Sequence, residues 1–138
     1  MTAGSVREWL DHVARDPDAA WDCAHGPRPV CDRAAFFVQQ AAEELVKAAR
    51  VSAGIHPPRL HNLGALVALL PADFAERERF QALSRCSKHA ILFRYPGGAG
   101  DPEPEPSPAE IDGWISEIAT LRRTLEARLA GGSDEARR

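Results

Sequence analysis

The side chains of this chain that could grip a phosphate are clustered in its later half. From Arg79 through Gly100 there is no Asp or Glu, yet Arg79, Arg85, Lys88, His89 and Arg94 all fall there. Arg85 and His89 stand four positions apart, one helical turn, and Lys88 shares their side. Cations arranged in this way suit a phosphate or an RNA backbone. The plainer reading of the same run is a solvated basic face. It would pair with Asp101, Glu103 and Glu105 just beyond it, or with a partner subunit. A second pair, Arg50 and His56, has five residues between its members, but it straddles Gly54, where a helix should end.

The second group with chemical capacity is a polar stripe inside the strongest helical stretch, "FFVQQAAEELVKAA". At about 100° per residue, Phe36, Gln39, Gln40, Glu43, Lys47 and Arg50 fall on one side. Ala34, Phe37, Val38, Ala41, Ala42, Leu45, Val46, Ala48 and Ala49 occupy the wide opposite side. Glu43 precedes Lys47 by four residues, the favourable order for a helical ion pair. Such a stripe reads either as solvated surface or as a cleft or dimer seam. An aromatic residue among polar ones points to the second reading. Metal chemistry is not indicated. His25, His56 and His61 sit in or near loops, and Cys23, Cys31 and Cys86 make no zinc-type spacing. No glycine-rich phosphate loop follows a strand, so no cofactor is expected.

The elements that must carry these residues read as helices. Val6, Trp9, Leu10 and Val13 follow helical spacing after Ser5. Pro17 then kinks or restarts that helix, with Asp16 as its cap. "AHGPRPVCD" is a loop, and Asp32 is placed to cap a helix that runs to about Ala53 and stops at Gly54. Leu63, Leu66, Val67 and Leu70 form the stripe of a short helix, capped by Asn62 and ended by Pro71. Asp73 and Glu76 have capping-box spacing for the next helix, whose core side holds Phe80, Leu83, Ala90 and Ile91. "YPGGAGDPEPEPSP" is a long punctuated loop of extended character. Ser107, Pro108 and Glu110 form the clearest helix start. Ile111, Trp114, Ile115, Ile118, Leu121, Leu125 and Leu129 then hold one face. No alternating strand pattern and no internal repeat is present. The expectation is an all-α fold, an up-and-down bundle of four to five helices over residues 1–130, with a flexible C-terminal tail at 131–138.

Composition narrows the function classes. A chain of 138 residues with net charge −3 is one ordinary globular domain without a general basic coat. The longest apolar run, "LGALVALL", is far short of the roughly 20 residues a membrane span needs. The N-terminal "MTAGSVREWLDHV" lacks the basic-then-apolar order of a signal peptide. Three cysteines without a CxxC fit a reducing cytoplasm. A cytoplasmic protein without membrane association is expected.

Taken in order, these pieces resemble a known family. "AAFFVQQAAEELVKAARVSAGIHPPRLHNLGALVALLP" is similar to the core signature of the HEPN domain (higher eukaryotes and prokaryotes nucleotide-binding domain). That signature has an aromatic start, a QQAAEK-like helix ending in Gly, a Pro-rich turn, then a His-Asp-Leu segment and a leucine-rich helix. "FRYPG" resembles the family's later Arg-Tyr-Pro segment. Two positions depart: Glu44 stands where the family commonly has Lys, and Asn62 stands where it commonly has Asp. The resemblance implies a helical bundle that forms a homodimer. It also implies a possible partner, a minimal nucleotidyltransferase, in a two-component or toxin–antitoxin pair, and a nucleotide or RNA as ligand. Phe36, Gln39, Gln40, Glu43, Lys47, His61, Arg94 and Tyr95 would then line the ligand or dimer cleft. Some HEPN proteins are metal-independent ribonucleases with an Arg-x(4–6)-His motif, the arginine holding phosphate and the histidine moving the proton. Arg85 and His89 are the catalytic candidates for that activity here, but only three residues separate them. The expected function is therefore a dimeric binding module. A ribonuclease toxin using Arg85 and His89, or a purely structural oligomerisation bundle, are the alternatives.

Overall fold

A single long helix organises the chain, and the others lie against it. The computed structural model describes residues 5–54, 63–84 and 105–136, the last segment with side chains through Arg128. The helices in those segments are α1 (Val6–Val13), α2 (Asp16–His25), α3 (Cys31–Ser52), α4 (Leu63–Ala68), α5 (Arg77–Leu83) and α6 (Pro108–Ala136). No strand occurs among the described residues. The fold is the expected all-α bundle, with α3 packed against α1, α2, α4, α5 and α6.

Alanines explain how α3 reaches so many neighbours. Ala34, Ala35, Ala41, Ala42, Ala48 and Ala49 are all fully buried, so partner helices can approach its backbone closely. Between them Val38, Leu45 and Val46 fill the core with Leu10 and Val13 of α1, Leu63 and Leu66 of α4, Phe80 and Leu83 of α5, and Ile111, Ile118, Leu121 and Leu125 of α6. Each large apolar side chain buried in this way contributes about 1.5–3 kcal/mol. Trp114 and Ile115 pack against this core from its edge.

The helix boundaries show which local signals governed. At α1 the Ser5 hydroxyl accepts from the Glu8 amide and the Glu8 carboxylate accepts from the Ser5 amide, a complete capping box. Pro17 restarts rather than kinks the chain, but Arg15 occupies the cap position and Asp16 is already helical. Ser107 accepts from the Glu110 amide at 3.1 Å, and Pro108 takes the first position of α6. Gly54 ends α3 with φ 77°, a conformation that favours glycine. The backbone of α6 is helical through Ala136, so Gly131 and Gly132 do not stop it.

Two expected caps are replaced by interactions from distant sequence. Asp32 does not cap α3, because the helix begins one residue earlier. The Cys31 amide donates instead to Glu105 Oε1 at 2.8 Å, across 74 positions. The Asp73–Glu76 box does not form, because α5 begins at Arg77 with no side-chain cap. The Glu76 carboxylate is buried and pairs with Arg128 of α6, whose guanidinium also lies over the Phe74 ring. In both places a carboxylate that local sequence assigned to one role is drawn to another element.

Candidate functional site

The polar stripe of α3 is not solvated surface. Glu43 is only 3% exposed and Arg50 only 7%, while Phe36, Gln39, Gln40 and Lys47 are half-buried. Much of its polarity is satisfied within the chain. Gln39 Nε2 donates to Glu43 Oε1 at 3.0 Å. The Lys47 ammonium stands 5.6 Å from the centre of the Trp9 ring on α1, a cation–π arrangement. Arg50 Nη1 donates to the Leu69 carbonyl at 2.8 Å, beyond the end of α4. At the other end the Phe36 and Phe37 rings meet edge to face, 5.8 Å between centres. The expected Glu43–Lys47 pairing yields to other partners: Glu43 is bonded back to Gln39 on the same helix, and Lys47 leans over Trp9 of α1.

One acceptor in this stripe is left over. Gln39 Oε1 is buried and has no hydrogen-bond partner among the described residues. A buried acceptor without a donor costs about 1–3 kcal/mol. The half-buried aromatic rings beside it give the site an apolar border. This part of α3 therefore offers an acceptor, a buried carboxylate and a ring within two helical turns.

Beside the stripe lies an acidic group that the sequence did not reveal. Burial first, then the neighbouring Asp16 carboxylate, raises the Glu44 pKa above its ordinary 4.5. His12 and Lys47 oppose that rise. Asp16 is itself raised by burial, with His12 pulling it down. Glu44 Oε2 is also without a hydrogen-bond partner among the described residues. Glu44 lies where the polar stripe borders the apolar side, and only the packing of α1 and α2 against that flank brings it to Asp16. Among the described residues no group of three or more His, Cys, Asp or Glu is placed to hold a metal ion.

The basic run is represented in the described residues by Arg79. Its guanidinium is bonded to Glu117 of α6 at 2.6 Å, which raises its pKa further. That charge is compensated by α6. Arg85, Lys88, His89, Arg94 and Tyr95 lie outside the described residues, as do His56, His61 and Asn62. The structure therefore gathers Phe36, Gln39, Gln40, Glu43 and Lys47 on α3.

A long alanine-rich helix with a buried polar stripe, enclosed by helices on several sides, defines an all-α helical bundle. The sequence model of the HEPN domain matches residues 6–125, most of the chain, and the protein belongs to the HEPN family. That is a family of nucleotide-binding and ribonuclease-like modules. No curated protein and no solved structure matches the chain. Among the described residues, no helix is long and apolar enough to cross a membrane.

Proposed function

We propose that this HEPN domain is a dimeric binding module that takes a nucleotide on the α3 stripe and works with a minimal nucleotidyltransferase. The observation that carries the reading is Gln39 Oε1, a buried acceptor with no donor among the described residues, set beside the buried Glu43 carboxylate and the Phe36 ring. An exocyclic amine of a nucleobase supplies the missing donor, and the aromatic ring supplies an apolar wall for the base. His61, Arg94 and Tyr95 complete the proposed cleft, the arginine as the phosphate-holding group. The nuclease reading has less support. Arg85 and His89 have three residues between them where the family's motif has four to six, and Arg79 is already paired with Glu117.

Calorimetry with ATP, GTP, CTP and UTP on wild-type protein and Gln39→Leu tests this. Saturable binding of a nucleotide by the wild type, lost in Gln39→Leu while the melting curve is kept, supports the proposal. No binding of any of the four overturns the ligand half. A monomer in sedimentation at micromolar concentration overturns the dimer half. Metal-independent RNA cleavage that disappears in His89→Ala would replace the reading with the enzymatic one.

A further inference from the structure

A glutamine amide has two unlike ends, an oxygen that accepts and a nitrogen that donates, and turning it over exchanges them. At Gln39 the choice is settled by a neighbour. Its Nε2 donates to Glu43 Oε1 at 3.0 Å, one helical turn further along α3. An ionised carboxylate accepts and has nothing to donate. The turned amide would set Gln39 Oε1 against that carboxylate, acceptor to acceptor, away from the water that could screen the repulsion. Glu43 is only 3% exposed, so its carboxylate cannot swing out to relieve the clash. The end left over is therefore the oxygen, and Gln39 Oε1 is the buried atom without a partner among the described residues.

We propose that Glu43 is a positioning residue for Gln39, holding the amide in the one sense that selects bases with an exocyclic amine, adenine or cytosine, over their carbonyl counterparts, hypoxanthine and uracil. The inference rests on the nucleotide reading above and adds the direction of the selection and the residue that sets it. Adenine and cytosine offer an amine that donates to Gln39 Oε1. Hypoxanthine and uracil put a carbonyl in the same place, so two acceptors meet and both stay unpaired. Their ring N–H reaches the oxygen only if the base slides sideways, which carries the sugar and phosphates out of register. A site built around one buried polar group rejects the ligand that cannot answer it. Guanine carries an amine and a carbonyl together and does not discriminate between the two senses.

Calorimetric titration of ATP against ITP, and of CTP against UTP, tests the selection, with melting curves recorded for each variant. The wild type should bind the amine member of each pair about tenfold more tightly. Purine riboside triphosphate, which lacks the amine and gains no carbonyl, should also bind more weakly than ATP. In Glu43→Gln the neighbouring group can itself donate or accept, so Gln39 is free to turn. ITP should then bind more tightly than it does to the wild type, while purine riboside triphosphate gains nothing. A merely structural role for Glu43 would weaken every nucleotide together and would not improve ITP. Glu43→Asp, whose shorter carboxylate no longer reaches Gln39, is the second variant and should also narrow the ATP to ITP ratio. Equal binding of amine and carbonyl bases by the wild type overturns the inference and leaves the nucleotide reading standing. A ratio unchanged in the folded Glu43 variants overturns the role of Glu43. No binding of any of these nucleotides overturns the reading and the inference together.

Discussion

Replacing Arg50 with methionine asks whether the end of the α3 stripe is a brace or a binding surface. The guanidinium is only 7% exposed, and its Nη1 donates to the Leu69 carbonyl at 2.8 Å, tying the last turn of α3 to the chain just after α4. A hydrogen bond from a charged donor contributes about 1.5–3 kcal/mol. Two facts place the loss at the lower end of that range. Leu69 is 48% exposed, so water can reach its carbonyl once the donor is gone. Methionine keeps most of the apolar stem that arginine packs against its neighbours, so the cavity term is small. The expected loss is about 1.5–2 kcal/mol. For a chain of 138 residues it lowers the melting temperature by roughly 6 °C and moves the urea midpoint by about 1 M. Urea melts followed by far-ultraviolet circular dichroism measure it, with Arg50→Lys expected to fall between the two. A midpoint for Arg50→Met at or above that of the wild type would refute the reasoning. It would mean that desolvating the guanidinium already cancels its bond, as occurs at some buried charges.

Other consequences of the structure are open to measurement. Glu105→Ala removes the acceptor for the Cys31 amide and should cost about 1 kcal/mol of stability. Hydrogen exchange should accelerate at Cys31 and the turn that follows it, and unchanged protection there would count against the long-range cap. Burial raises the Glu44 and Asp16 pKa values, so the folded state binds their protons more readily than the unfolded state does. Their contribution to stability is therefore present below the unfolded values, 4.5 and 3.8, and is lost as pH rises through the higher folded ones. Glu44→Gln should consequently stabilise the protein at pH 7 and flatten its stability profile on the acid side. A variant less stable than the wild type at pH 7 would show that Glu44 is held by attraction and not merely tolerated.

The helices were legible because their signals are local. The apolar spacing of α3, α4 and α6 and the stop at Gly54 each depend on residues within a turn or two, and the structure contains them, whereas α4 ends at Ala68, ahead of the expected stop at Pro71. The cap of α3 was not legible. Asp32 has the right chemistry beside the right helix, yet the amide of Cys31 is taken by Glu105, because the start of α6 packs beside the end of α2. His25 shows the same junction, with Nε2 2.6 Å from Asp112 Oδ1 of α6. Glu76 was misassigned for a related reason: a capping box describes what a glutamate can reach locally, and Arg128 offers a stronger partner from 52 positions away. Long-range partners for carboxylates are fixed by packing, which the pattern of one segment does not contain.

The stripe on α3 makes the same point about function. Angular spacing alone placed Phe36, Gln39, Gln40, Glu43 and Lys47 together, and the structure keeps them on one face. Spacing did not show how deeply that face is covered. A stripe that meets water needs no defined partners, whereas Glu43 at 3% exposure and Arg50 at 7% require them. Glu43 receives one from Gln39, Arg50 finds one at Leu69, and Lys47 lies over Trp9. These interactions fix the orientation of the side chains, so the unmatched acceptor of Gln39 is held at a defined position and not free to turn toward solvent. Fixed polar groups of this kind discriminate between ligands because a poor match leaves them buried and unpaired. An interaction made through Gln39 should for that reason be selective for donor-bearing bases, and a helix whose stripe were merely wet would show no such preference.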